Sequence, residues 1–172
     1  MNKLKIIFSS VMFLIILLQS TTYANKPVKD FFDAEQAHES INQIMHQDGY
    51  QLTISPLSYQ GKNKYDMDIY ISHTSTGKND IIFYTQGNKL DSVRILKKHN
   101  ERESVQVEFG ILFYIGLTEK DIWNMMDSKV KAIDSFTKTV YVERAFCKNI
   151  NKEIIIINTV TIDGGDEIIG AE

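Results

Sequence analysis

Beginning at Tyr50, apolar and polar residues alternate in short segments that are separated by turn sequences. Successive side chains of a strand point to opposite faces of its sheet, so this two-residue period predicts strands with one buried face. Short runs at regular intervals are typical of antiparallel strands that pair with their sequence neighbours. Pro56 confines the first run to a sheet edge or a strand end. The predicted strands cover 50–55, 65–72, 80–85, 89–97, 137–146 and 153–162.

The strand predicted at 65–72 has one apolar and one more polar set of alternate residues. The apolar set is Tyr65, Met67, Ile69 and Ile71, and the polar set is Asp66, Asp68, Tyr70 and Ser72. We therefore expect a half-buried antiparallel strand whose carboxylates face water. The preceding sequence from Gln60 to Lys64 predicts a turn.

Two segments have the periodicity of amphipathic helices. Between Asp30 and Gln47, apolar residues recur every three or four positions, and Gly49 supplies a stop. A second helix is predicted to begin at Thr118, which resembles the start of a shortened capping box, and to end near Asp134.

Residues 105–116 are compatible with two structures. Six apolar residues alternate between Val105 and Ile115, which favours a long central strand. Leu112 and Tyr114 make the second face apolar as well, and a buried helix would give a similar run. We expect a strand here; a helix would instead pack as a hairpin against the helix that follows.

Together these elements predict an α+β domain with a mostly antiparallel sheet of five to seven strands and two or three packed helices. No repeat, linker or charge block divides the chain, so residues 25–172 are expected to form a single domain. Its acidic, glycine-rich tail is expected to fray from about residue 163. Hydrophobic residues make up 43% of the chain and charged residues 24%, which excludes a low-complexity or wholly disordered protein.

Residues 1–24 have the order of a cleaved secretory signal. Lys3 and Lys5 precede an apolar run from Ile6 to Leu18, and Ala24 ends a small-residue cleavage motif. The run is shorter than the roughly 20 residues that cross a bilayer, so the cleaved chain is expected to have no transmembrane anchor. The protein should therefore be exported, to the periplasm in a Gram-negative bacterium and otherwise to the medium.

Cleavage would leave 17 of the 19 basic side chains against 22 acidic ones, a net charge of −5. This acidic balance argues against binding to nucleic acid. Cys147 is the single cysteine, so the chain cannot form an intramolecular disulfide. Its thiol is expected to be buried and inert, with an intermolecular disulfide as the alternative.

The polar side of the first predicted helix carries the strongest candidates for catalysis. Glu35, His38 and Glu39 share one helical face with Asn42 and His46. Imidazole and carboxylate together could bind a metal or act as base and orienting group. The zinc-protease pattern fails, however, because position 42 is Asn. His38 and His46 are separated by about 12 Å of helix rise, too far to share an ion. We therefore predict neither a metal site nor a cofactor, and interpret this face as solvated.

The other candidate site combines a strand face with a turn. Asp66, Asp68 and Tyr70, with Lys62 and Lys64 of the preceding turn, form a surface suited to binding a protein. Motifs of serine hydrolases, phosphate loops, dinucleotide binding and thiol redox chemistry are absent from the sequence. These features favour a small exported, non-catalytic protein that binds another protein of the cell envelope, such as an inhibitor or immunity protein. The alternative is a hydrolytic enzyme or small-ligand carrier that uses the polar face of the first helix.

Overall fold

A computed structural model describes residues 32–97, 101–127, 132–134, 138–147 and 152–161. Its helices are α1 (Ala34–Gln47), α2 (Glu101–Ile115) and α3 (Glu119–Met126). Its strands are β1 (Ser58–Lys62), β2 (Asp68–His73), β3 (Asn79–Gln86), β4 (Lys89–Lys97), β5 (Ala132–Asp134), β6 (Lys138–Cys147) and β7 (Lys152–Thr161). They form one antiparallel sheet in the order β1-β2-β3-β4-β7-β6-β5. The predicted α+β domain is confirmed.

The three helices pack on one face of this sheet, which we call the inner face. Alternate strand residues such as Phe83, Ile95 and Ile157 are fully buried there, in one hydrophobic core with helix residues. The opposite side is the outer face. It consists of Ile69, Ile71 and His73 of β2, Asp80, Ile82 and Tyr84 of β3, Ser92, Arg94 and Leu96 of β4, Ile154, Ile156 and Asn158 of β7, and Tyr141, Glu143 and Ala145 of β6.

Both predicted helices form, and a side chain caps the N-terminus of each. The Asp33 carboxylate accepts a hydrogen bond from the Glu35 amide at 2.9 Å, and α1 ends at Gln47 as predicted. The Thr118 hydroxyl caps α3 in the same way. The predicted end near Asp134 is wrong, because α3 stops at Met126 and residues 132–134 form β5.

The strand favoured at 105–116 is wrong, because residues 105–115 belong to α2. This helix has neighbours on several sides: Gly110 lies against α1, Phe109 against Trp123 of α3, and Glu108 against β6. A helix enclosed in this way carries apolar residues around most of its circumference, so its sequence imitates a two-residue alternation.

The strand predicted at 50–55 is reduced to one isolated bridge, between Ile54 and Thr74. The polar groups of Ile54 bond instead to the Asn42 side chain of α1, which accepts from the Ile54 amide at 2.7 Å and donates to its carbonyl at 2.9 Å. The first strand begins later, at Ser58, and includes residues predicted as a turn. Gly61 makes this possible, since its φ of 97° accommodates a bulge in β1.

The predicted signal at 1–24 and the predicted tail from 163 lie outside the described residues and stay predictions. Cys147 ends β6, and the predicted state of its thiol likewise stays a prediction. Within the described ranges, none of the three helices combines the length and hydropathy that a membrane crossing needs.

Candidate functional site

The predicted binding residues come together in the β1–β2 hairpin, at one edge of the sheet. Asn63 shapes its turn, because the side-chain oxygen accepts hydrogen bonds from the amides of Tyr65 at 2.9 Å and Met67 at 3.1 Å. Asp66 has a φ of 63°, a left-handed conformation that Asp tolerates better than most residues. The turn therefore has one defined shape, stabilised by its own side chains.

Two lysines are held at the tip of the hairpin. The Lys62 ammonium donates to the Asp66 carboxylate at 2.9 Å, and this bond raises the pKa of Lys62. The Lys64 ammonium lies 4.8 Å from the centre of the Tyr65 ring, within the range of a cation–π contact. Tyr65 itself is 66% exposed. The tip thus presents two cations, a carboxylate and an aromatic ring to solvent.

A second group of side chains lies at the base of the hairpin. The Tyr59 hydroxyl donates to the Asp68 carboxylate at 3.0 Å, which raises the pKa of Tyr59. The Tyr59 ring is 5.3 Å from that of Tyr70, and the Tyr70 ring is 6.0 Å from that of Phe32. Tyr59 is nevertheless 54% exposed. Its orientation is therefore fixed by contacts that leave most of its surface free.

The structure corrects the orientation predicted for the strand at 65–72, because Ile69 and Ile71 of its apolar set lie on the outer face. Asp66 precedes β2, whereas Asp68, Tyr70 and Ser72 share one side of it. That side is the inner face, so Ser72 is fully buried and its hydroxyl donates to the Ser55 carbonyl at 2.6 Å. Along β2 this side changes from half-buried at Asp68 and Tyr70 to fully buried at Ser72, which contacts Ser55 of the segment between α1 and β1.

Sequence reasoning missed the two tyrosines that are most exposed at this site. The alternation places Tyr65 in the apolar set of the strand predicted at 65–72, and it places Tyr59 on no surface. Both flank the predicted turn at 60–64. Large aromatic residues beside a turn tip lie beyond the reach of a core, and that position was the available signal.

The candidate catalytic face of α1 does not form a reactive cluster. Glu35, Glu39 and His46 are exposed, and Asn42 is engaged with the backbone of Ile54. His38 is half-buried, and no described group hydrogen-bonds to its Nδ1. Among the described residues, no carboxylate therefore bonds to the His38 Nδ1 to orient its ring as a base.

A histidine–carboxylate contact occurs elsewhere, between neighbouring strands on the outer face. The His73 Nδ1 lies 2.8 Å from the Asp80 Oδ1. The adjacent hydroxyl, that of Ser72, is on the inner face and points away from this ring. The contact is therefore a cross-strand pair rather than two members of a hydrolytic triad.

The described residues contain no group of three or more His, Cys, Asp or Glu side chains that could hold a metal ion. No protein-family model, curated protein or solved structure matches this chain.

Proposed function

We propose that this chain is an exported, non-catalytic protein that binds another protein of the cell envelope through its β1–β2 hairpin. The observation that carries the proposal is the pair of exposed tyrosines, Tyr59 and Tyr65, of which the first hydrogen-bonds to Asp68 and the second contacts the Lys64 ammonium. Tyrosine is enriched among the residues that dominate the binding energy of protein interfaces.

The contacts within the hairpin reduce the entropy that binding would cost. Asp68 orients the Tyr59 hydroxyl, and Lys64 lies over the Tyr65 ring. Side chains that are already ordered before association lose less freedom at the interface. Lys62 and Asp66 add charges of both signs beside the rings, which suits a polar rim around an aromatic centre.

An inhibitor or immunity protein is the form of binding that we propose. The reasons are the predicted export signal, the single small domain and the absence of recognisable catalytic motifs in the sequence. Such a protein needs only a rigid surface that covers a partner's site. The hairpin lies at the edge of the sheet, and its turn is held by side-chain hydrogen bonds, which supports this proposal.

The test compares two double variants of the tagged full chain in affinity capture from the envelope fraction. Tyr59→Ser/Tyr65→Ser should weaken capture of the partner at least about tenfold, since loss of a central aromatic contact commonly costs this much. The matched control, His38→Ala/Glu39→Ala, alters the competing surface on α1 and should leave capture unchanged. Circular dichroism checks that both variants fold.

If the captured partner is a toxin or hydrolase, addition of the purified chain should lower its activity. Unchanged capture by the tyrosine variant, or loss of capture by the α1 variant alone, would contradict the proposal. The second result would instead favour the enzyme or ligand carrier that uses the polar face of α1.

A further inference from the structure

The outer face of the sheet is unusually apolar for a surface that the described helices leave uncovered. An antiparallel sheet with one buried face ordinarily carries polar residues on the other. Here Ile71, Ile82 and Ile156 are half-buried and lie in one row across four strands, with Arg94 of β4 between Ile82 and Ile156. Ile69, Leu96 and Ile154 extend this surface. Contiguous apolar patches of this kind mark interaction sites.

Two opposite charges flank the centre of this face. Arg94 on β4 and Glu143 on β6 both pair with Ile156 of β7, one from each side. They are therefore about 9.6 Å apart, two strand spacings, on the same face. Both are exposed, and no ion pair joins either to another described side chain. Arg94 contacts the Tyr84 ring, with its guanidinium carbon 4.8 Å from the ring centre.

This arrangement is complementary to itself. A twofold axis parallel to β7 and in front of Ile156 would place each Arg94 opposite Glu143 of a second copy, and Ile156 opposite its own equivalent. The neighbouring rows also match in size, because Leu96 would face Ala145. A twofold contact requires this reciprocity, with the same patch used by both copies. Sheets packed face to face lie about 10 Å apart, a gap that opposed Arg and Glu side chains can bridge.

The second neighbouring row matches in the same way. Ser92 on β4 and Tyr141 on β6 flank Asn158, so each small serine would face a tyrosine of the second copy. Further out, Tyr84 of β3 would face Ala132 of β5. Large side chains therefore oppose small ones on both sides of the axis.

The overlap is large enough for a specific interface. Five strands, from β3 to β5 in sheet order, span about 24 Å, and the three outer-face residues of β7 span about 20 Å. The two copies would together cover roughly 1,000 Å² of flat area, which reaches the size expected of a biological contact. β1 and β2 lie outside the overlap, so the hairpin stays accessible.

We propose that two copies of this chain associate through their outer faces, with Arg94 of each opposite Glu143 of the other. This association does not depend on the function proposed for the hairpin, because the overlap leaves out β1 and β2 and lies on the opposite face of the sheet. The partner is the chain itself, recognised by apolar surface and by paired charges of opposite sign.

The test uses sedimentation equilibrium to measure the molar mass of the species that the purified full chain forms in solution. Wild type should form a dimer, and R94E and E143R should each weaken it at least about tenfold, since each places like charges opposite one another. An equal mixture of R94E and E143R should dimerise again, because one copy then carries two acidic and the other two basic side chains. E39R, a charge reversal on exposed α1, is the control and should dimerise like wild type.

Circular dichroism shows whether each variant folds, and R94Q and E143Q replace any reversal that does not. A monomeric wild type, or a dimer that both reversals leave intact, overturns the proposal. If the wild type is monomeric and removal of 162–172 produces the dimer, that segment occupies the face and the proposal is likewise wrong.

Discussion

Arg144 of β6 and Glu108 of α2 form an ion pair between the sheet and the helix layer, with 2.6 Å between Nη2 and Oε1. Glu108 is 1% exposed, whereas the Arg144 side chain is 36% exposed. Burial raises the pKa of Glu108, and the charge and hydrogen bond of Arg144 act in the opposite direction. The carboxylate is therefore disfavoured by its surroundings and depends on this guanidinium.

Replacing Arg144 by Met should destabilise the fold most strongly at neutral pH. The substitution leaves a buried carboxylate without its partner, a change that costs 3–5 kcal/mol in fully buried pairs. Because Arg144 is partly exposed to water, we expect about 2 kcal/mol at pH 7. Urea unfolding followed by circular dichroism measures the loss, which should shrink in acid, where Glu108 is protonated. An equal loss at both pH values would contradict this role.

Replacing Glu108 by Gln should remove a pH-dependent cost. The pKa of Glu108 is higher in the folded state than its unfolded value of 4.5. Its contribution to stability is therefore full below pH 4.5 and is lost as the pH rises through the folded-state pKa. E108Q should therefore gain stability relative to wild type as the pH rises from about 4 to 7. Paired urea titrations across this range measure the difference. E153Q, at an exposed glutamate of β7, should not show the trend.

Gly110→Ala should lower stability although Ala favours helices. A Cβ at position 110 would lie 2.7 Å from Cγ of Met45 and 3.3 Å from Cγ2 of Ile41, so the Met45 side chain or the two helices would have to shift. Overpacking of this kind costs about 1–3 kcal/mol, and the gain in helix propensity offsets about 1 kcal/mol. Urea unfolding should show a net loss of about 1 kcal/mol. In a Met45→Ala background the same substitution should cost nothing, and equal costs in both backgrounds would refute the explanation.

Asn42→Ala should destabilise the segment between α1 and β1. It removes both hydrogen bonds to Ile54 and leaves buried backbone groups unpaired, at about 2 kcal/mol. Hydrogen exchange at the Ile54 amide should accelerate together with the loss of global stability. Gln43→Ala, at an exposed position of the same helix, should stay within about 0.5 kcal/mol of wild type. Normal protection of Ile54 in N42A would show that other contacts hold this segment.

The sequence predicted those elements that have one buried and one less buried side. The alternation located β3, β4, β6 and β7 to within a few residues, and the helical period located α1. It failed at α2, where neighbours on several sides remove the polar stripe. It also failed at 50–55, where a side chain of α1 replaces the strand partner that the alternation implied.

Part of the candidate site could also be predicted from the sequence. Lys62, Lys64 and Asp66 were grouped correctly because a short turn brings sequence neighbours together. The contact of Tyr59 with Asp68 depends on the strand register, which the bulge at Gly61 shifts. A register shift of one residue cannot be inferred from alternation alone, since it changes the pairing without changing the pattern.

The position of β7 between β4 and β6 determines when the sheet can be completed. Residues 92–97 pair with 153–158, so the two halves of the sheet are joined only by strands far apart in sequence. Such pairings carry a large loop-closure cost and fold slowly compared with local hairpins. During synthesis, the meander from β1 to β4 keeps an unpaired edge at β4 until residues 152–161 have left the ribosome. Nascent chains that stop before Lys152 should consequently aggregate through that edge.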